Sequence, residues 1–589
     1  MKDFFKYLLA TVVGVLITSL LAFFIFLGVI GAMMSKSDKP IDVKENSLLV
    51  LKLNKEIADR GSNNPMANFD FMSMKPVTTI GLNDILKAIK NAADDPKIKG
   101  IYIENESIPA GTATVEEIRN ALIKFKESGK FIISYSNVYS QNSYYFASVA
   151  DKVMLNPEGA IDWVGLRSEI MFFKNALEKL GVEAQILRHG KFKSAVEPFM
   201  SDKMSPENRE QTMTYLGSIW DHWVEGIAKE RGLEVKDLNQ WADNLTIRNA
   251  KAALEHNMID SLLYKDEVID MLKELTDTKP KKDINSVSIE QYAKVPAPRK
   301  QKGLIKDKIA VVYASGEISM GEQTEGGIGG EGFARAIREA RRDSSIKAIV
   351  LRVNSPGGSA LASELIWREM SLAREVKPVI VSMGDVAASG GYYIAAPADV
   401  IIANPTTITG SIGVFGMIPN IQQVMNKKLG INIDVVKTNK SSDLGSLFRP
   451  LTAQERAVIQ LGIEDVYTTF IGHVADGREL TVEQVDEIGQ GRVWSGVNAL
   501  DIKLIDEFGG LERAIEIAAE RAELEQYRIT ELPKQEDPFQ ALLKELTGSA
   551  KMKIFEKEFG FAYKQYSRIQ SIMENRGVQA RLPYDVEIY

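Results

Sequence analysis

The sequence predicts an α/β protein that consists of two tandem repeats behind one N-terminal transmembrane helix. Three observations predict this class: a long apolar run near the N-terminus, a duplication within the chain, and short apolar strands that alternate with helical stretches in each copy. The chain has 589 residues, of which 45% are hydrophobic, so it is long enough for more than one domain with its own core.

The apolar run extends from Tyr7 to Met34 and contains no charged residue. Because about 20 apolar residues cross the hydrocarbon core of a bilayer as a helix, the run predicts a single membrane span. It lacks the shorter apolar region and the clear cleavage site of a signal peptide, so we expect residues 1–45 to be an uncleaved anchor and a short linker. Two lysines precede the run and three follow it, which nearly balances the flanking charge. We favour an orientation with the large C-terminal part outside the cytoplasm.

The duplication appears when the second half is shifted by about 248 positions onto the first. The segment IKGIYIENES then pairs with IKAIVLRVNS, so that Ile98 matches Ile346 and Asp151 matches Asp399 without a gap. A stretch rich in proline and lysine separates the two copies, as expected of a linker. The predicted organisation is a first repeat over 46–275, a linker over 276–307, a second repeat over 308–525 and a helical C-terminal extension over 526–589.

Each repeat alternates continuous apolar runs, such as KIAVVYASGEI and KPVIVSMG, with helical stretches such as GFARAIREARRD. Apolar strands between helices are typical of parallel strands that are covered on both faces, so each half should be one α/β domain.

Composition excludes several kinds of chemistry. The net charge is −7 and no basic run stands out, which argues against a nucleic-acid partner. The absence of cysteine excludes disulfides, thiolate metal sites and cysteine nucleophiles.

A candidate nucleophile lies in GDVAASGGYYIAAPADV, from Gly384 to Val400. Ser389 follows an apolar strand and precedes a helical stretch, and its small neighbours leave the hydroxyl open to a substrate. Gly390 and Gly391 permit close approach of another backbone. The alternative is that Ser389 is an ordinary N-cap serine.

A candidate oxyanion site lies in VNSPGGSA, from Val353 to Ala360. A strand ends there in Pro-Gly-Gly and a helix begins, which directs free backbone N–H groups at an anion. A plain strand-to-helix turn would explain the glycines equally well. In the first repeat, Gly357 is matched by Pro109, which has no N–H, and Ser389 is matched by Gln141.

The candidate proton acceptor is a lysine. None of the four histidines lies near these motifs in the sequence, whereas a buried, neutral lysine can activate a serine. HGKFKSAVEPF, from His189 to Phe199, offers Lys193 among apolar neighbours, and its match in the second repeat, near Ser442, is not a lysine. The alternative for any lysine is a solvated surface charge.

A glycine-rich motif in the second half has two possible interpretations, a nucleotide-binding site or a loop. GIGGEG, from Gly327 to Gly332, matches the dinucleotide-binding fingerprint and precedes a helical stretch. It follows the preceding strand only after several loop residues and has no evident match in the first repeat. We therefore favour a mobile loop at the rim of the site over a nucleotide site.

The motifs KSAVEPF in the first half and NSPGGSA, DVAASGGYY and TGSIGV in the second half together resemble the long, two-repeat form of the bacterial signal peptide peptidase A family. The resemblance covers essentially the whole chain. It implies a crotonase-like (Clp protease-like) fold in each half, a single N-terminal anchor in the inner membrane, and a homotetramer whose bulk faces the periplasm.

The same resemblance implies the site residues. Ser389 would be the nucleophile, Lys193 the general base, Gly357 and Gly358 the oxyanion site, and Ser411 the hydroxyl that positions the lysine. No metal or cofactor is implied. The expected activity is a serine endopeptidase that forms an acyl-enzyme and degrades cleaved signal peptides and other apolar, extended peptides.

Two other classes of function remain open from the residues. A crotonase-type acyl-CoA enzyme would use the same oxyanion site for a thioester enolate, although such enzymes rely on a carboxylate acid or base. A non-catalytic membrane scaffold would make the joint occurrence of Ser389, Lys193 and the Pro-Gly-Gly turn accidental.

Overall fold

The structure is a computed structural model that describes residues 4, 6–7, 9–21, 24, 41–62, 69–70, 75–76, 79–296, 305–322, 326–535 and 578–581. Residues 9–21 are helical, and much of the remaining predicted anchor lies outside the described residues. Among the residues that are described, no helix is both long enough and apolar enough to cross a membrane.

The first half forms a six-stranded sheet with the order β10-β8-β7-β6-β1-β11, in which all paired strands are parallel. Its strands are β1 (Ser47–Leu51), β2 (Ile57–Ala58), β3 (Phe69–Asp70), β4 (Lys75–Pro76), β5 (Ile80–Gly81), β6 (Ile98–Ile103), β7 (Phe131–Tyr139), β8 (Lys152–Ile161), β9 (Glu183–Arg188), β10 (Ser261–Leu262) and β11 (Ser286–Ser288). Its helices are α1 (Leu82–Asp94), α2 (Thr112–Lys126), α3 (Gln141–Ala147), α4 (Lys174–Leu180), α5 (Glu197–Met200), α6 (Pro206–Arg231), α7 (Val235–Asp243), α8 (Ala250–Glu255), α9 (Lys265–Leu275) and α10 (Ile289–Tyr292).

The second half repeats this plan in an eight-stranded sheet with the main order β21-β19-β17-β15-β12-β23, in which β18 also pairs with β17 and β22 pairs with β18. Its strands are β12 (Lys308–Ser315), β13 (Glu317–Ser319), β14 (Gly327–Gly329), β15 (Ile346–Ser355), β16 (Gly357–Ser359), β17 (Val379–Ala388), β18 (Val400–Ala403), β19 (Ile408–Gly410), β20 (Phe415–Asn420), β21 (Val493–Ser495), β22 (Glu507–Phe508), β23 (Arg528–Leu532) and β24 (Gln579–Arg581). Its helices are α11 (Gly330–Arg342), α12 (Ala360–Arg374), α13 (Gly390–Ala395), α14 (Ala453–Arg478), α15 (Val482–Ile488), α16 (Gly496–Asp501) and α17 (Leu511–Arg521).

The central strands are continuous apolar runs because both faces of each sheet are covered. In β15 and β17, almost every side chain is buried, as the sequence predicted for parallel strands between helices. Burial of these runs supplies the main stabilisation of each half, at about 25 cal/mol per Å² of apolar surface. The alternation of strands and helices in both halves confirms the predicted α/β class.

A third sheet joins the two halves, with the order β14-β13-β16-β24-β20-β9. Strand β9 belongs to the first half by sequence but pairs antiparallel with β20 of the second half over six residues, from Arg188 opposite Phe415 to Glu183 opposite Asn420. The segment that follows β9 is therefore held against the second half. That segment contains Lys193.

A buried charge cluster also joins the halves. Arg352 of the second half has no exposed side-chain surface, and its guanidinium contacts the carboxylates of Asp59 at 2.7 Å and Glu117 at 2.6 Å, both in the first half. Asp385 of the second half accepts hydrogen bonds from the N–H and hydroxyl of Thr114 at the start of α2. Buried charges of this kind must be paired, so the two halves fix each other's position.

Two sequence-based boundaries need correction. Residues 276–307 are more than a linker, because β11 pairs with β1 and Val287 and Tyr292 are buried in the first core. Most of the predicted helical extension over 526–589 lies outside the described residues; in its described parts, β23 extends the second sheet beside β12 and β24 lies in the third sheet. In both regions, pairing with a strand that is distant in sequence determined the structure, and local periodicity does not report such pairing.

The glycine-rich motif was also interpreted wrongly as a rim loop. Gly327–Gly329 form β14, which pairs in parallel with β13, and α11 begins at Gly330. The first half has the equivalent arrangement, since β5 pairs in parallel with β2 and leads into α1. The motif is therefore a strand-to-helix junction that both repeats contain.

Candidate active site

Ser389 lies at the sharp junction between β17 and α13. Its backbone has φ 56° and ψ −115°, a combination that L-residues rarely adopt, and its N–H donates to the carbonyl of Gly410 at 2.8 Å. Its side chain makes no capping hydrogen bond to α13. The interpretation of Ser389 as an ordinary N-cap is therefore wrong, because the strained backbone directs the hydroxyl away from the helix.

The structure brings Lys193 to this hydroxyl. The Nζ of Lys193 lies 2.8 Å from the Oγ of Ser389, 3.0 Å from the carbonyl oxygen of Ser411 and 3.1 Å from the Oγ of Ser411. Lys193 and Ser389 come from different halves of the same chain and are both 0% exposed. The alternative of a solvated surface lysine is therefore wrong.

Burial favours the neutral form of this lysine. Removal from water lowers the pKa of Lys193 well below its ordinary value, since the ammonium form loses its hydration. The hydrogen-bond partners of its Nζ are hydroxyl and carbonyl oxygens, which do not offset that loss as a carboxylate would. A neutral amine 2.8 Å from a serine hydroxyl can accept the proton of that hydroxyl.

The segment that carries Lys193 is fixed at several points. The N–H of Phe192 donates to the carbonyl of Gln490 at 3.1 Å, and a Cβ on Gly491 would lie 2.6 Å from the Cα of Lys193. The amide of Gln211 bridges the halves: it donates to the Oγ of Ser194 at 2.8 Å and accepts from the N–H of Val493 at 3.1 Å. Sequence reasoning missed Gln211 and Gly491, because their role depends on contacts between distant segments.

Backbone donors line the other side of Ser389. Gly390 is the first residue of α13, so its N–H has no acceptor within the helix. Gly357, with φ 95°, lies so close that a Cβ on it would be 2.6 Å from the nitrogen of Gly390. The N–H of Gly357 itself donates to the Oγ of Ser355 at 3.1 Å. Gly357 therefore lies at the predicted oxyanion site but contributes space, and Gly358 and Gly390 are the candidate donors.

The matching positions in the first half are arranged differently. Gln141 begins α3, and its side-chain oxygen accepts from the N–H groups of Val164 and Gly165 at 2.9 and 2.8 Å. Its amide nitrogen donates to the carbonyl of Gly165. In the second half, Ser442 is exposed and bonds only locally to Asn439. The first half has no nucleophile at this position, and the second has no lysine.

The four histidines are engaged elsewhere. Their partners are Glu464 for His189, Glu116 for His222 at 3.2 Å, Glu364 for His473 at 3.0 Å, and the ring of Trp241 for His256 at 4.6 Å. Among the described side chains, no group of three or more histidines and carboxylates converges as a metal site.

A serine hydroxyl in contact with a buried amine is typical of hydrolases that form an acyl-enzyme. The family model described as "Peptidase family S49" matches residues 124–279 and 371–525, once in each half. The chain therefore belongs to peptidase family S49, with two tandem repeats of the family's domain, and it is a serine protease.

Relatives of similar length agree with this assignment. "Protease 4" from Salmonella typhi is 38% identical over 481 residues, which cover 80% of this chain and 76% of that protein. "Protease 4" from Haemophilus influenzae is 38% identical over 73% of this chain and 71% of that protein. "Serine protease SPPA, chloroplastic" from Arabidopsis thaliana is 34% identical over 82% of this chain and 70% of that protein.

Proposed function

We propose that this serine protease is a membrane-anchored endopeptidase that degrades cleaved signal peptides, with Ser389 as nucleophile and Lys193 as general base. The observation that carries the proposal is the 2.8 Å contact between the Nζ of Lys193 and the Oγ of Ser389 in a site without exposed surface on either residue. Burial lowers the pKa of Lys193 well below its ordinary value, which suits its amine to accept the proton of Ser389.

The proposed reaction has two stages. The Oγ of Ser389 attacks the peptide carbonyl while its proton passes to the Nζ of Lys193, and the resulting oxyanion is stabilised by the N–H groups of Gly358 and Gly390. The C–N bond then breaks as Lys193 returns the proton to the leaving amine. Water, deprotonated by the same lysine, then attacks the ester carbonyl, and the C–O bond breaks as Lys193 returns that proton to the Oγ of Ser389. The contacts of Ser411 with Nζ direct the amine at the hydroxyl throughout.

The proposed substrate class follows from three features. The apolar N-terminal run would place the protease at the membrane where signal peptides remain after cleavage. The site lies beside strand edges, which suit an extended peptide. The resemblance to signal peptide peptidase A supports the periplasmic side of the inner membrane as its location.

Assembly into a homotetramer is part of the proposal. Within the chain, β9 of the first half pairs with β20 of the second. Their repeat mates, residues 432–437 and 167–172, are in no strand in the described structure, and the former exposes Ile433, Val435 and Val436 at 39%, 48% and 98%. Pairing of these two segments between neighbouring copies would be head-to-tail, the type of contact from which a ring of four copies can be built.

The test of this function uses an active-site probe. The full chain in membranes should react with a fluorophosphonate at Ser389 and hydrolyse a synthetic signal peptide, and the Ser389→Ala variant should do neither. Hydrolysis of soluble, folded proteins in preference to the signal peptide would contradict the proposed substrate class. The tetramer is tested separately, since Val435→Lys should shift the detergent-solubilised protein to smaller species in sedimentation velocity.

A further inference from the structure

The turn over residues 489–492, which joins α15 to β21, contacts both the segment of Lys193 and the segment of Ser411. Gly491 packs so closely that a Cβ on it would lie 2.6 Å from the Cα of Lys193. The carbonyl of Arg492 accepts a hydrogen bond from the N–H of Ser411 at 2.6 Å, and Ser411 in turn contacts the Nζ of Lys193. The turn therefore lies against the backbone that carries the amine and against the residue that directs it.

The side chain of Arg492 makes a second bridge of this kind with two aromatic rings. Its Cζ lies 4.6 Å from the centroid of the Phe192 ring and 4.3 Å from that of the Trp494 ring. Phe192 directly precedes the lysine of the site. The Trp494 ring covers Gly410, on which a Cβ would lie 2.8 Å from the ring's Cδ1, and the carbonyl of Gly410 accepts the N–H of Ser389. The guanidinium thus stacks between a neighbour of the amine and a ring that packs on the partner of Ser389.

The shape and charge of arginine suit this position. A planar guanidinium stacks well on aromatic faces, whereas the ammonium of a lysine is compact and strongly hydrated. The Nη2 of Arg492 also lies 2.9 Å from a carboxylate oxygen of Glu210 on α6. Glu210 and Phe192 both belong to the first half, so this side chain joins the two halves next to the site. Removal of the guanidinium would free Phe192 from this contact with the second half.

The matched turn of the first half lacks this arrangement. The helices that follow the two turns, α8 and α16, begin at matched positions, and each is capped by the side chain of the residue before it. This alignment matches Arg492 with Thr246 and Trp494 with Arg248. The stacked arginine therefore belongs to the half that carries the nucleophile, and the fold that the two repeats share does not require it.

We propose that Arg492 is a positioning residue for the reaction. Its side chain holds the segment of Lys193 against the turn of Ser411, which keeps Nζ within hydrogen-bond distance of the Oγ of Ser389. The proposal deepens the proposed function and rests on it. Because Arg492 acts through two rings and not on the reacting atoms, its loss should slow the chemical step and leave peptide binding unchanged. A displacement of about 1 Å at the site is enough to cost up to about 100-fold in rate.

The test measures kcat and KM for a synthetic signal peptide, and the rate constant of fluorophosphonate labelling at Ser389, in the full chain. Arg492→Met keeps an apolar stem in the stack and removes the planar cation. It should lower kcat and the labelling rate constant by about 10-fold to 100-fold, with KM within about twofold. Arg492→Lys keeps the charge and should restore neither rate. Arg374→Met, which removes an ion pair with Asp399, is the control and should behave as the natural chain.

The extent of labelling separates positioning from folding. A merely structural role of Arg492 would lower the fraction of molecules that react with the probe at completion, while the rate constant of those that react would stay the same. Equal rate constants in Arg492→Met and the natural chain would therefore overturn the proposal, as would a raised KM with an unchanged kcat. If the natural chain neither reacts with the probe nor cleaves the peptide, the proposed function itself fails.

Phe192→Leu tests the same contact from the first half and carries the test if Arg492→Met does not fold. It removes one ring of the stack and should lower kcat by about tenfold with KM retained, and an unchanged kcat would overturn the proposal. In a double-mutant cycle, Arg492→Met with Phe192→Leu should lower kcat no further than Arg492→Met does alone, because both substitutions break one contact. Full multiplication of the two effects in the double variant would contradict the role of the stack.

Discussion

The two repeats share one framework but differ at the positions where chemistry is possible. In the first half, the matched positions hold Gln141 and Pro109, and the repeat supplies only Lys193. In the second half, Ser389 and Gly357 are present, and Ser442 stands where the lysine would be. Strand β9 of the first half pairs with β20 of the second half, and this pairing brings the two partial sites together. A duplicated fold can thus divide one site between its copies and make each copy depend on the other.

The backbone at the matched positions shows the same division. Gln141 lies in the first turn of α3, and its side chain accepts hydrogen bonds from N–H groups of the loop after β8. Ser389 instead has φ 56° and forms no such bond. Strain of this kind costs about 1–3 kcal/mol and persists where the surrounding structure fixes it. The second half has the strained geometry at this position, and the first half has satisfied hydrogen bonds there.

Removal of either member of the divided site should have the largest effect. We expect Ser389→Ala and Lys193→Ala each to lower kcat/KM for a signal peptide by about 10³-fold or more, because nucleophile and base act as a unit. Sedimentation velocity should show an unchanged assembly. Near-normal turnover in either variant would refute the division of the site between the halves.

Loss of the buried ion pairs between the halves should have the next largest effect. Arg352→Met leaves the carboxylates of Asp59 and Glu117 buried without their cation, so the free energy of unfolding should fall by about 3–5 kcal/mol. Denaturant unfolding measures this change. Arg374→Met, which removes a partly exposed ion pair with Asp399, is the control and should cost less than about 1 kcal/mol. Equal costs for the two variants would contradict a central role for the buried cluster.

The lowered pKa of Lys193 should also make the free energy of unfolding depend on pH. Its pKa is lowered in the folded state, so between that value and about 10.4 the unfolded chain binds one more proton, and stability rises with pH. We expect Lys193→Met to have a higher free energy of unfolding than the natural chain. This difference should shrink by about 1.4 kcal/mol per pH unit in this window. Lys191→Met, at an exposed neighbour, serves as the control. A difference that does not vary with pH would mean that Lys193 is charged in the folded protein.

The smallest expected effect is that of a substitution that places a serine at the matched position of the first half. Gln141→Ser in a Ser389→Ala background should give no fluorophosphonate labelling, because Pro109 still replaces the oxyanion turn and position 442 offers no lysine. Mass spectrometry of the labelled peptide checks this. Labelling of the introduced serine would show that the first half needs only a hydroxyl to be active.

Much of this arrangement could be predicted from the sequence, and the missing parts have a common cause. The duplication and the alternation of apolar runs with helices are local patterns, and they predicted two α/β halves. The motifs around Ser389 and Lys193 were visible for the same reason. The roles of Gln211, β11 and β24 depend on segments far apart in sequence, and no periodicity reports such pairing. The hydrogen bond from the N–H of Gly357 to Ser355 depends on the orientation of a single N–H group, which the motif does not report.

The pH dependence of kcat/KM tests most directly whether Lys193 is the base for Ser389. Because burial lowers the pKa of Lys193 from about 10.4, the profile should rise towards the mildly alkaline range as the free enzyme's amine loses its proton. Replacement of any one histidine should leave that rise in place. A limiting ionisation near about 6.5 that disappears when a histidine is replaced would contradict the account.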